Sequence, residues 1–395
     1  MIYSRYKNYY FFLILTLFIF SGCSFEKKYN KLDIDNLLEM RYDKLLKYSV
    51  DSLSFPRSYS RHENASKLVP SKDWTSGFFA GNLWYLYTLT GNQAYIDKAQ
   101  AWTSFIEKEK FNDKTHDMGF KIYNSFGNGL KIKDNKRYKN IIVKSAKTLS
   151  TRFNENIKSI RSWDFNKKVW QFPVIIDNMM NLELLFEATK LTNDSTYHNL
   201  AVTHANTTLK HHFRPDNSCY HVIDYDTITY QPRMKVTHQG INDESSWARG
   251  HGWGIYGYTL AYRYTKDNRY LDRAITTADY FIHHKNMPDD GIPYWDFDDI
   301  SIPDAPRDVS AGTIVASALV EIYEFTKNKK YLDYSKKVIN TLKSTEYILE
   351  PDFEAPFILD HSTGNWPKND EIDEPIVYGD YYFLETLIRL KNIKK

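Results

Sequence analysis

A short turn motif that recurs along the chain constrains its fold more than any other feature of the sequence. The motif has Thr at its first position and Tyr at its sixth, and its copies are Thr90–Tyr95, Thr192–Tyr197, Thr265–Tyr270 and Thr326–Tyr331. An apolar stretch with helical periodicity precedes each Thr, and small residues at helical spacing follow the Tyr, as at Ala99, Ala201 and Ala274. The repeating unit is therefore predicted to be a helical hairpin with a polar turn.

The number of hairpins predicts a closed barrel. Tyr138 with Ala146 marks a degraded fifth copy of the motif, and helices predicted at 34–47 and 381–393 complete six hairpins of roughly sixty residues each. Six hairpins favour an all-α (α/α)6-barrel, and 395 residues with 42% hydrophobic content suit one large core. An open solenoid is the alternative, but it needs polar capping helices, whereas the last helix carries apolar surface that closure would bury.

The first residues of the chain predict export and a lipid anchor. Residues 1–22 have a basic start, an apolar stretch over 11–20 and small residues before Cys23. The Ser21-Gly22-Cys23 ending resembles a bacterial lipobox, in which cleavage before the cysteine exposes a thiol that receives a lipid, although Phe20 stands where Leu is typical. An uncleaved membrane anchor is the alternative, but so short an apolar run spans a bilayer poorly.

These features predict a signal peptide over 1–22, a linker over 23–32 after a lipidated Cys23, and a single barrel domain over 33–395. The protein is expected to be exported and anchored by lipid to the cell membrane or outer membrane, facing the periplasm or the cell surface.

Composition narrows the expected partners. The formal charge of +3 includes Arg5 and Lys7 of the predicted leader, so the mature chain is close to neutral and lacks the basic field of a nucleic-acid binder. Cys219 is the cysteine that remains after Cys23 is modified, and it is predicted to be a small buried apolar residue. The aromatic share of 16% suits a cleft that stacks the flat faces of sugars.

The predicted inner helices begin with residues that point to a carbohydrate site. Their starts are Asp73–Gly77, His116–Gly119, Asp177–Asn178, Trp247–His251, Arg307–Ser310 and Tyr378–Tyr382. In a closed barrel of parallel inner helices these N-termini face one mouth. Helix capping explains the Asp and Ser residues but not the Trp, His and Arg residues beside them. We expect carboxylates and five tryptophans to line the mouth: Trp74, Trp163, Trp247, Trp253 and Trp295.

Two carboxylates stand apart from the others. Asp117 and Asp177 lie in the apolar contexts HDMGF and VIIDNMM, where an uncompensated charge is costly, so they are candidates for acid/base chemistry. A purely structural pair is the alternative. Asp73 is best explained as a helix N-cap, and Asp308 either as an N-cap or as a partner of Arg307.

Other classes of chemistry find little support in the sequence. His116, His221 and His251 suggest zinc only weakly, because the chain has no HExxH motif or tight ligand spacing, and no metal is expected. The sequence also lacks a P-loop, GxGxxG, GxSxG or cysteine-nucleophile signature. No nucleotide, flavin or other cofactor is therefore expected.

Long motifs spread over nearly the whole mature chain carry a family resemblance. They are WTSGFFAGNLWYLY from Trp74, HDMGF from His116, IIDNMMNLELLF from Ile175, QGINDESSWARG from Gln239, DGIPYWDF from Asp290 and YGDYYFLE from Tyr378. With these motifs the chain resembles glycoside hydrolase family 88, the unsaturated glucuronyl hydrolases. One departure is RGHGWG, where His251-Gly252 stands in place of the expected Gln-Ala.

The resemblance implies an (α/α)6-barrel and a reaction. Enzymes of the family act on oligosaccharides left by polysaccharide lyases, whose terminal uronate carries a C4=C5 double bond. By analogy, Asp177 protonates C4 and then deprotonates a water that adds at C5, which gives an unstable hemiketal that sheds the aglycone. Asp117 matches the second essential carboxylate. The matching substrate-binding residues are Trp74, His116, Trp163, His221, Gln239, Arg249 and Trp253.

Two physical expectations follow for the residues to which the resemblance assigns these roles. An apolar setting with Asp117 nearby should raise the pKa of Asp177 enough for it to hold a proton near neutral pH. Arg249 has no acidic residue within helical reach, so an external anion, the substrate's carboxylate, is its expected partner.

The sequence leaves the substrate open. Glycosaminoglycans, gellan, xanthan and ulvan all yield unsaturated uronate ends, and Lys368 either contacts a sulfate on the neighbouring sugar or is a solvated surface residue. Two alternative hypotheses remain. The first is an inverting glycosidase or a hydrolase of unsaturated rhamnogalacturonan products, and the second is a non-catalytic glycan-binding surface lipoprotein.

Overall fold

The computed structural model describes residues 33–393, and from Ile34 onward the chain forms one compact unit. The predicted signal peptide and Cys23 lie outside the described residues. Within 33–393 the structure has twelve α-helices: α1 Ile34–Lys47, α2 Ser76–Thr90, α3 Gln93–Ile106, α4 Asn128–Ile132, α5 Lys136–Ser150, α6 Asn178–Thr192, α7 Ser195–His211, α8 Ala248–Thr265, α9 Asn268–Ile282, α10 Val309–Thr326, α11 Lys329–Leu342 and α12 Val377–Asn392.

The even-numbered helices form a closed inner ring. α2 packs against a π-helix, Gly119–Gly127, that continues into α4; the π-helix packs against α6, and α6, α8, α10 and α12 follow in order. α12 packs against α2, which closes the ring, and the odd-numbered helices lie outside it. The (α/α)6-barrel is therefore confirmed, and the open solenoid is excluded. α10 is long and apolar enough to cross a membrane, but 78% of it is buried in this core.

Local backbone chemistry explains the recurring turn. In each copy the Thr ends an inner helix and the next residue has a left-handed φ, namely Gly91 (72°), Asn193 (58°), Lys266 (58°) and Lys327 (57°). The third residue, Asn or Asp, caps the outer helix with its side chain, and its N–H donates to the Thr hydroxyl at 3.1 or 3.2 Å. These bonds lie within the motif, so the hairpin turn could be predicted from sequence.

The second inner helix departs from regular α geometry. Its first nine residues, Gly119–Gly127, form a π-helix, a rare conformation that is often found at functional sites and that the sequence did not predict. Glycines let the neighbours approach closely: a Cβ on Gly77 would lie 2.2 Å from the Phe120 carbonyl oxygen, and one on Gly119 would lie 2.7 Å from Asn181 Cα. Asn181 Oδ1 also accepts the Phe120 N–H at 3.0 Å. These contacts fix the π-helix directly after Asp117.

Small antiparallel sheets fill three of the connections that lead from outer to inner helices. They are β1 Phe55–Ser60 with β2 Ala65–Val69, β3 Phe153–Asn154 with β4 Ser159–Ile160, and β5 Phe172–Ile175 with β6 Val222–Tyr225 and β7 Pro232–Val236. Because these connections precede the inner helices, the strands lie at the end of the barrel where the inner helices start. The sequence predicted no strands, and the three-stranded sheet proves important for the site.

Candidate active site

The N-termini of the inner helices surround a cavity of about 420 Å³, a size typical of small-ligand sites. Seven of the residues predicted for the site line it: Trp74, His116, Asp117, Trp163, Asp177, Gln239 and Arg249. Their side chains come from six separate places in the sequence, because only His116 and Asp117 are neighbours. Closure of the barrel therefore brings together the carboxylates, aromatic rings and guanidinium that the sequence had placed at one mouth.

Three of the five tryptophans predicted for the mouth lie elsewhere. The Trp253 side chain is 1% exposed and packs against Phe120 and Tyr382, with ring centroids 5.2 and 5.7 Å apart. Trp247 and Trp295 are also buried. The prediction that these side chains line the mouth is wrong. Trp253 lies one turn into α8 and packs against rings of other inner helices. The Trp247 ring packs on His221 with centroids 4.5 Å apart, and the Trp295 ring stacks on Trp366 at 5.3 Å.

The three-stranded sheet brings Asp177 and His221 together. Ile175 on β5 pairs with Val222 on β6, and Val222 pairs with Val236 on β7. Asp177 follows β5, and His221 directly precedes β6, so both lie at the same end of the sheet. His221 is buried behind Asp177, with its Nε2 3.7 Å from Asp177 Oδ2.

Burial gives Asp177 the properties of an acid that works near neutral pH. Its side chain is 13% exposed, and the buried Oδ2 has no hydrogen-bond partner among the described residues. Desolvation raises the pKa of Asp177 to about 7, the Arg249 charge opposes the rise and the Asp117 charge adds to it. A carboxyl group with this pKa is populated in both protonation states at neutral pH, as expected from its apolar sequence context.

A backbone contact fixes the tautomer of His221. The N–H of His238 donates to His221 Nδ1 at 3.1 Å, so Nδ1 is an acceptor and the ring proton of the neutral imidazole is on Nε2. Burial holds the pKa of His221 well below its usual value, so the ring is neutral. The Nε2–H group therefore points toward Asp177 from a distance slightly too long for a hydrogen bond.

The second carboxylate, Asp117, is held in a fixed orientation. Thr115 Oγ1 donates to Asp117 Oδ2 at 2.6 Å, and His116 Nε2 lies 3.1 Å from Asp117 Oδ1. Burial lowers the pKa of His116 to about 4, so this imidazole is also neutral at physiological pH. Asp117 thus adds a fixed carboxylate beside Asp177 in the same cavity.

Arg249 has an acidic partner that the sequence did not reveal. Its Nη1 donates to Asp308 Oδ2 at 2.7 Å and to the Thr363 carbonyl at 2.6 Å, and its Nη2 donates to the Gly364 carbonyl. No acidic residue lies within helical reach of Arg249, and its acidic partner Asp308 comes from the start of the next inner helix of the ring. One Nε–H and one Nη2–H remain without a partner among the described residues, so the guanidinium keeps two free donors.

The same contact settles the role of Asp308. Its Oδ1 caps α10 by accepting the N–H groups of Ser310 and Ala311, while its Oδ2 binds Arg249. Arg307 pairs instead with Asp290, at 2.9 Å. The prediction that Asp73 is a helix N-cap is wrong, because Thr75 occupies the N-cap position of α2. Asp73 instead accepts the N–H and hydroxyl of Thr75 and pairs with Arg57.

The departure at His251 lies outside the cavity. His251 Nδ1 contacts the Trp247 carbonyl at 2.9 Å, and its Nε2 accepts the N–H of Cys219 at 3.1 Å. The ring therefore ties α8 to the segment that leads into His221. Cys219 is buried, as predicted, and burial raises the pKa of its thiol to about 12.

An aromatic wall completes the cavity. Trp163 stacks on Phe165 with ring centroids 5.0 Å apart and an interplanar angle of 15°, and the His238 ring lies 5.4 Å from Trp163. Trp74 lies below the guanidinium of Arg57 at 5.9 Å. Flat rings at two positions suit the stacking of sugar faces.

The sequence did not predict several residues that line the cavity: Arg57, Lys114, Thr115, Phe165 and His238. Thr115 and His238 directly precede predicted site residues, so adjacency was a usable signal. Arg57 had none, because its place depends on contacts with the distant Glu371. Within residues 33–393, no group of three or more His, Cys, Asp or Glu side chains is arranged to hold a metal ion.

A cavity that combines aromatic rings with two carboxylates at the mouth of the barrel suits a carbohydrate-active enzyme. Comparison with known proteins defines the class further. The model of Glycosyl Hydrolase Family 88 matches residues 53–261. The chain therefore belongs to glycoside hydrolase family 88 and is a glycosidase, as the motifs indicated.

Individual relatives agree with that assignment. The chain is 58% identical to an unsaturated glucuronyl hydrolase of Formosa agariphila, over 98% of this chain and 99% of the relative. It is 32% identical to an unsaturated chondroitin disaccharide hydrolase of Streptococcus pneumoniae, over 83% and 84% of the two chains. The crystal structure of an unsaturated glucuronyl hydrolase specific for heparin is similar to it, with a TM-score of 0.88, 41% identity, and coverage of 91% and 97%.

The raised pKa of Asp177 predicts a pH-dependent gain in stability when its charge is removed. Folding raises this pKa from 3.8 to about 7, so ionised Asp177 destabilises the folded state, fully above pH 7 and progressively less as the pH falls toward 4. Asp177→Asn should therefore raise the free energy of unfolding at pH 8 by about 2–4 kcal/mol, from about 1.4 kcal/mol per pKa unit.

Denaturant unfolding at pH 8 and pH 5 measures this difference. Asp333→Asn, at an exposed position of α11, is the matched control for loss of a carboxylate. A variant that is less stable than wild type at pH 8 would show that Asp177 is stabilised by its surroundings in the ionised form.

Proposed function

We propose that this enzyme removes 4,5-unsaturated glucuronic acid from the non-reducing end of oligosaccharides produced by polysaccharide lyases. The observation that carries the proposal is Asp177: a carboxyl group with a pKa of about 7 and an unpaired Oδ2, in a cavity of about 420 Å³. The names of the relatives support the same substrate class.

The first step is protonation of the double bond. Protonated Asp177 transfers its proton to C4, the π electrons form the new C4–H bond, and the positive charge left at C5 is shared with the ring oxygen. Asp177 becomes a carboxylate in this step. The nearby Arg249 charge, which favours ionised Asp177, and the Nε2–H of His221 stabilise the anion as it forms.

The second step adds water and releases the aglycone. The Asp177 carboxylate takes a proton from a water molecule, and the hydroxide forms a bond to C5. The resulting hemiketal opens by cleavage of the bond between C5 and the ring oxygen, which leaves a ketone at C5 and a hemiacetal at C1. The hemiacetal then expels the aglycone as an alcohol. Asp177 ends the cycle protonated, so no metal or cofactor enters the balance.

Binding contacts follow from the free donors and rings of the cavity. The unpaired Nε–H and Nη2–H of Arg249 form a two-point contact with the uronate carboxylate, which is planar because it is conjugated with the alkene. Trp74 and Trp163 stack the sugar faces. Gln239 donates to the Gly364 carbonyl at 3.0 Å and orients its amide at the cavity wall. Trp253 supports the wall from behind and does not touch the sugar.

We infer that the substrates are anionic oligosaccharides of the glycosaminoglycan type. The relatives named above include enzymes for chondroitin and for heparin fragments, and the cavity rim carries exposed Lys368. No carboxylate pairs with Lys368 among residues 33–393, so its ammonium is free for a sulfate or carboxylate on the second sugar. Fragments of ulvan have the same terminal uronate and belong to the same assay panel.

We also propose that the mature enzyme is anchored by lipid on Cys23, at the cell membrane or outer membrane. The support is the lipobox-like ending of residues 1–22. Wild-type protein should partition into detergent and Cys23→Ala should stay in the aqueous phase; aqueous partition of both would contradict the anchor.

The proposed chemistry predicts the effect of removing the acid. Asp177→Asn keeps the shape of the site, but the amide can neither donate a proton to C4 nor accept a proton from the attacking water. The Asp177→Asn variant should therefore have a kcat about 10³-fold or more below that of the wild type, with KM within a few-fold of wild type. Loss of the ultraviolet absorbance of the unsaturated uronate measures turnover. Wild-type kcat/KM should also fall about ten-fold per pH unit above pH 7, as Asp177 loses its proton.

A saturated glucuronide with the same aglycone is the matched control substrate. It has no alkene to protonate, so wild-type enzyme should leave it intact. Equal hydrolysis of both substrates would assign the protein to the inverting glycosidases. Binding without turnover of either substrate by wild-type protein would assign it to the glycan-binding lipoproteins.

A further inference from the structure

A second concave site lies on the outer wall of the barrel. It is a groove of about 600 Å³ between α5 and the short 3₁₀-helix Glu107–Phe111 that follows α3. Thr148 Oγ1 donates to the Lys110 carbonyl at 2.6 Å and fastens the 3₁₀-helix to α5. Buried Ile141 forms part of the floor. The groove shares no lining residue with the cavity at the mouth.

The groove concentrates positive charge on a protein that is otherwise close to neutral. Four cationic side chains, Lys110, Lys136, Arg137 and Lys144, line it together with one carboxylate, Glu107. Glu107 is shared by Lys110, at 2.7 Å, and Arg137. Lys136 and Lys144 are exposed and have no carboxylate partner among the described residues. Two ammonium groups are therefore free to pair with anions.

An exposed aromatic ring lies between the cations. Phe111 is 60% exposed, and the ammonium groups of Lys110 and Lys144 lie 5.2 and 5.0 Å from its ring centroid. An aromatic face offers a stacking platform for the apolar face of a sugar ring, and the flanking ammonium groups lie where carboxylate or sulfate substituents of that sugar would project. The combination matches an acidic sugar better than it matches a neutral sugar or a simple anion.

We propose that this groove is a second, non-catalytic binding site for acidic polysaccharide. It would hold the intact polymer on the outside of the barrel. Only residues 112–114 separate Phe111 from Thr115, which lines the catalytic cavity, so the two Cα atoms are at most about 15 Å apart. A polymer bound in the groove would keep the ends released from it close to the mouth.

The shape of the site favours a polysaccharide over a membrane surface. Side chains that insert into a lipid interface must protrude from a convex surface, as on an amphipathic helix that lies in the membrane plane. Phe111 is instead the single exposed apolar side chain that lines this groove, and two ammonium groups flank its ring. A flexible polyanion can follow such a groove, whereas a flat bilayer cannot enter it.

Affinity electrophoresis in native gels that contain heparin, chondroitin sulfate or neutral dextran tests the proposal. The protein is the full chain with Cys23→Ala, so that no lipid contributes. In this background Lys136→Gln with Lys144→Gln should raise the dissociation constant for heparin or chondroitin sulfate by about five-fold or more, because it removes two exposed charge contacts. Phe111→Ala should weaken the same binding, and dextran should retard none of the proteins.

A second pair of lysine substitutions, on an outer helix that does not line the groove, controls for the change in net charge. Lys329→Gln with Lys336→Gln removes two exposed lysines from the outer helix α11 and should leave retardation unchanged. Both pairs should keep wild-type kcat/KM on an unsaturated disaccharide, which is too short to span the groove and the mouth.

Equal weakening by the two pairs, or no weakening by the groove pair, would overturn the proposal. It would also be overturned if the groove pair lost binding to vesicles of anionic phospholipid but kept binding to heparin and chondroitin sulfate. Retardation and turnover are separate readouts, so failure of the proposed hydrolysis would leave the result for the groove intact.

Discussion

Packing between the first and last inner helices, α2 and α12, is the constraint on which the rest of the structure depends. Gly81 on α2 is in close contact with Tyr381, where a Cβ would lie 2.4 Å from the Tyr381 ring, and the hydroxyls of Tyr85 and Tyr381 are 3.0 Å apart. This contact joins residues about 300 positions apart in the sequence and turns six hairpins into a ring. Only in a closed ring do inner N-termini from distant parts of the sequence meet at one cavity, where their side chains can act on one ligand.

That arrangement places an unfavourable charge where the chemistry needs it. A carboxylate buried at 13% exposure without a hydrogen bond on Oδ2 costs folding free energy, and the cost appears as the raised pKa of Asp177. Arg249 could neutralise it, but its guanidinium is largely used by Asp308 and by the carbonyls of Thr363 and Gly364. The barrel therefore keeps Asp177 poised between its two protonation states instead of locking it as an anion.

The contrast between what could and could not be predicted from sequence has a physical cause. The hairpin turns were predictable because the Thr, the left-handed residue and the Asn or Asp cap contact one another within a few positions. Asp117 and Asp177 were recognisable because a carboxylate in an apolar stretch costs folding free energy, so its presence there indicates a functional role. The π-helix at Gly119–Gly127, the strand pairing that joins Asp177 to His221, and the pairing of Arg249 with Asp308 were not predictable. Each of these depends on contacts between distant segments, for which the local sequence carries no signal.

Hydrolysis of an unsaturated disaccharide in deuterium oxide tests the central claim, that Asp177 delivers a proton to C4. Because the Asp177 proton exchanges with solvent, the account predicts one deuterium at C4 of the released uronate, in one stereochemical position. Mass spectrometry and NMR detect it at times short compared with spontaneous exchange in the isolated product. A product without deuterium at C4, or with deuterium distributed over both C4 positions from the first turnovers, would contradict the account. The second result is expected of reaction at the anomeric carbon, because the released enol would ketonise in solution, and it would leave Asp177 without its proposed role.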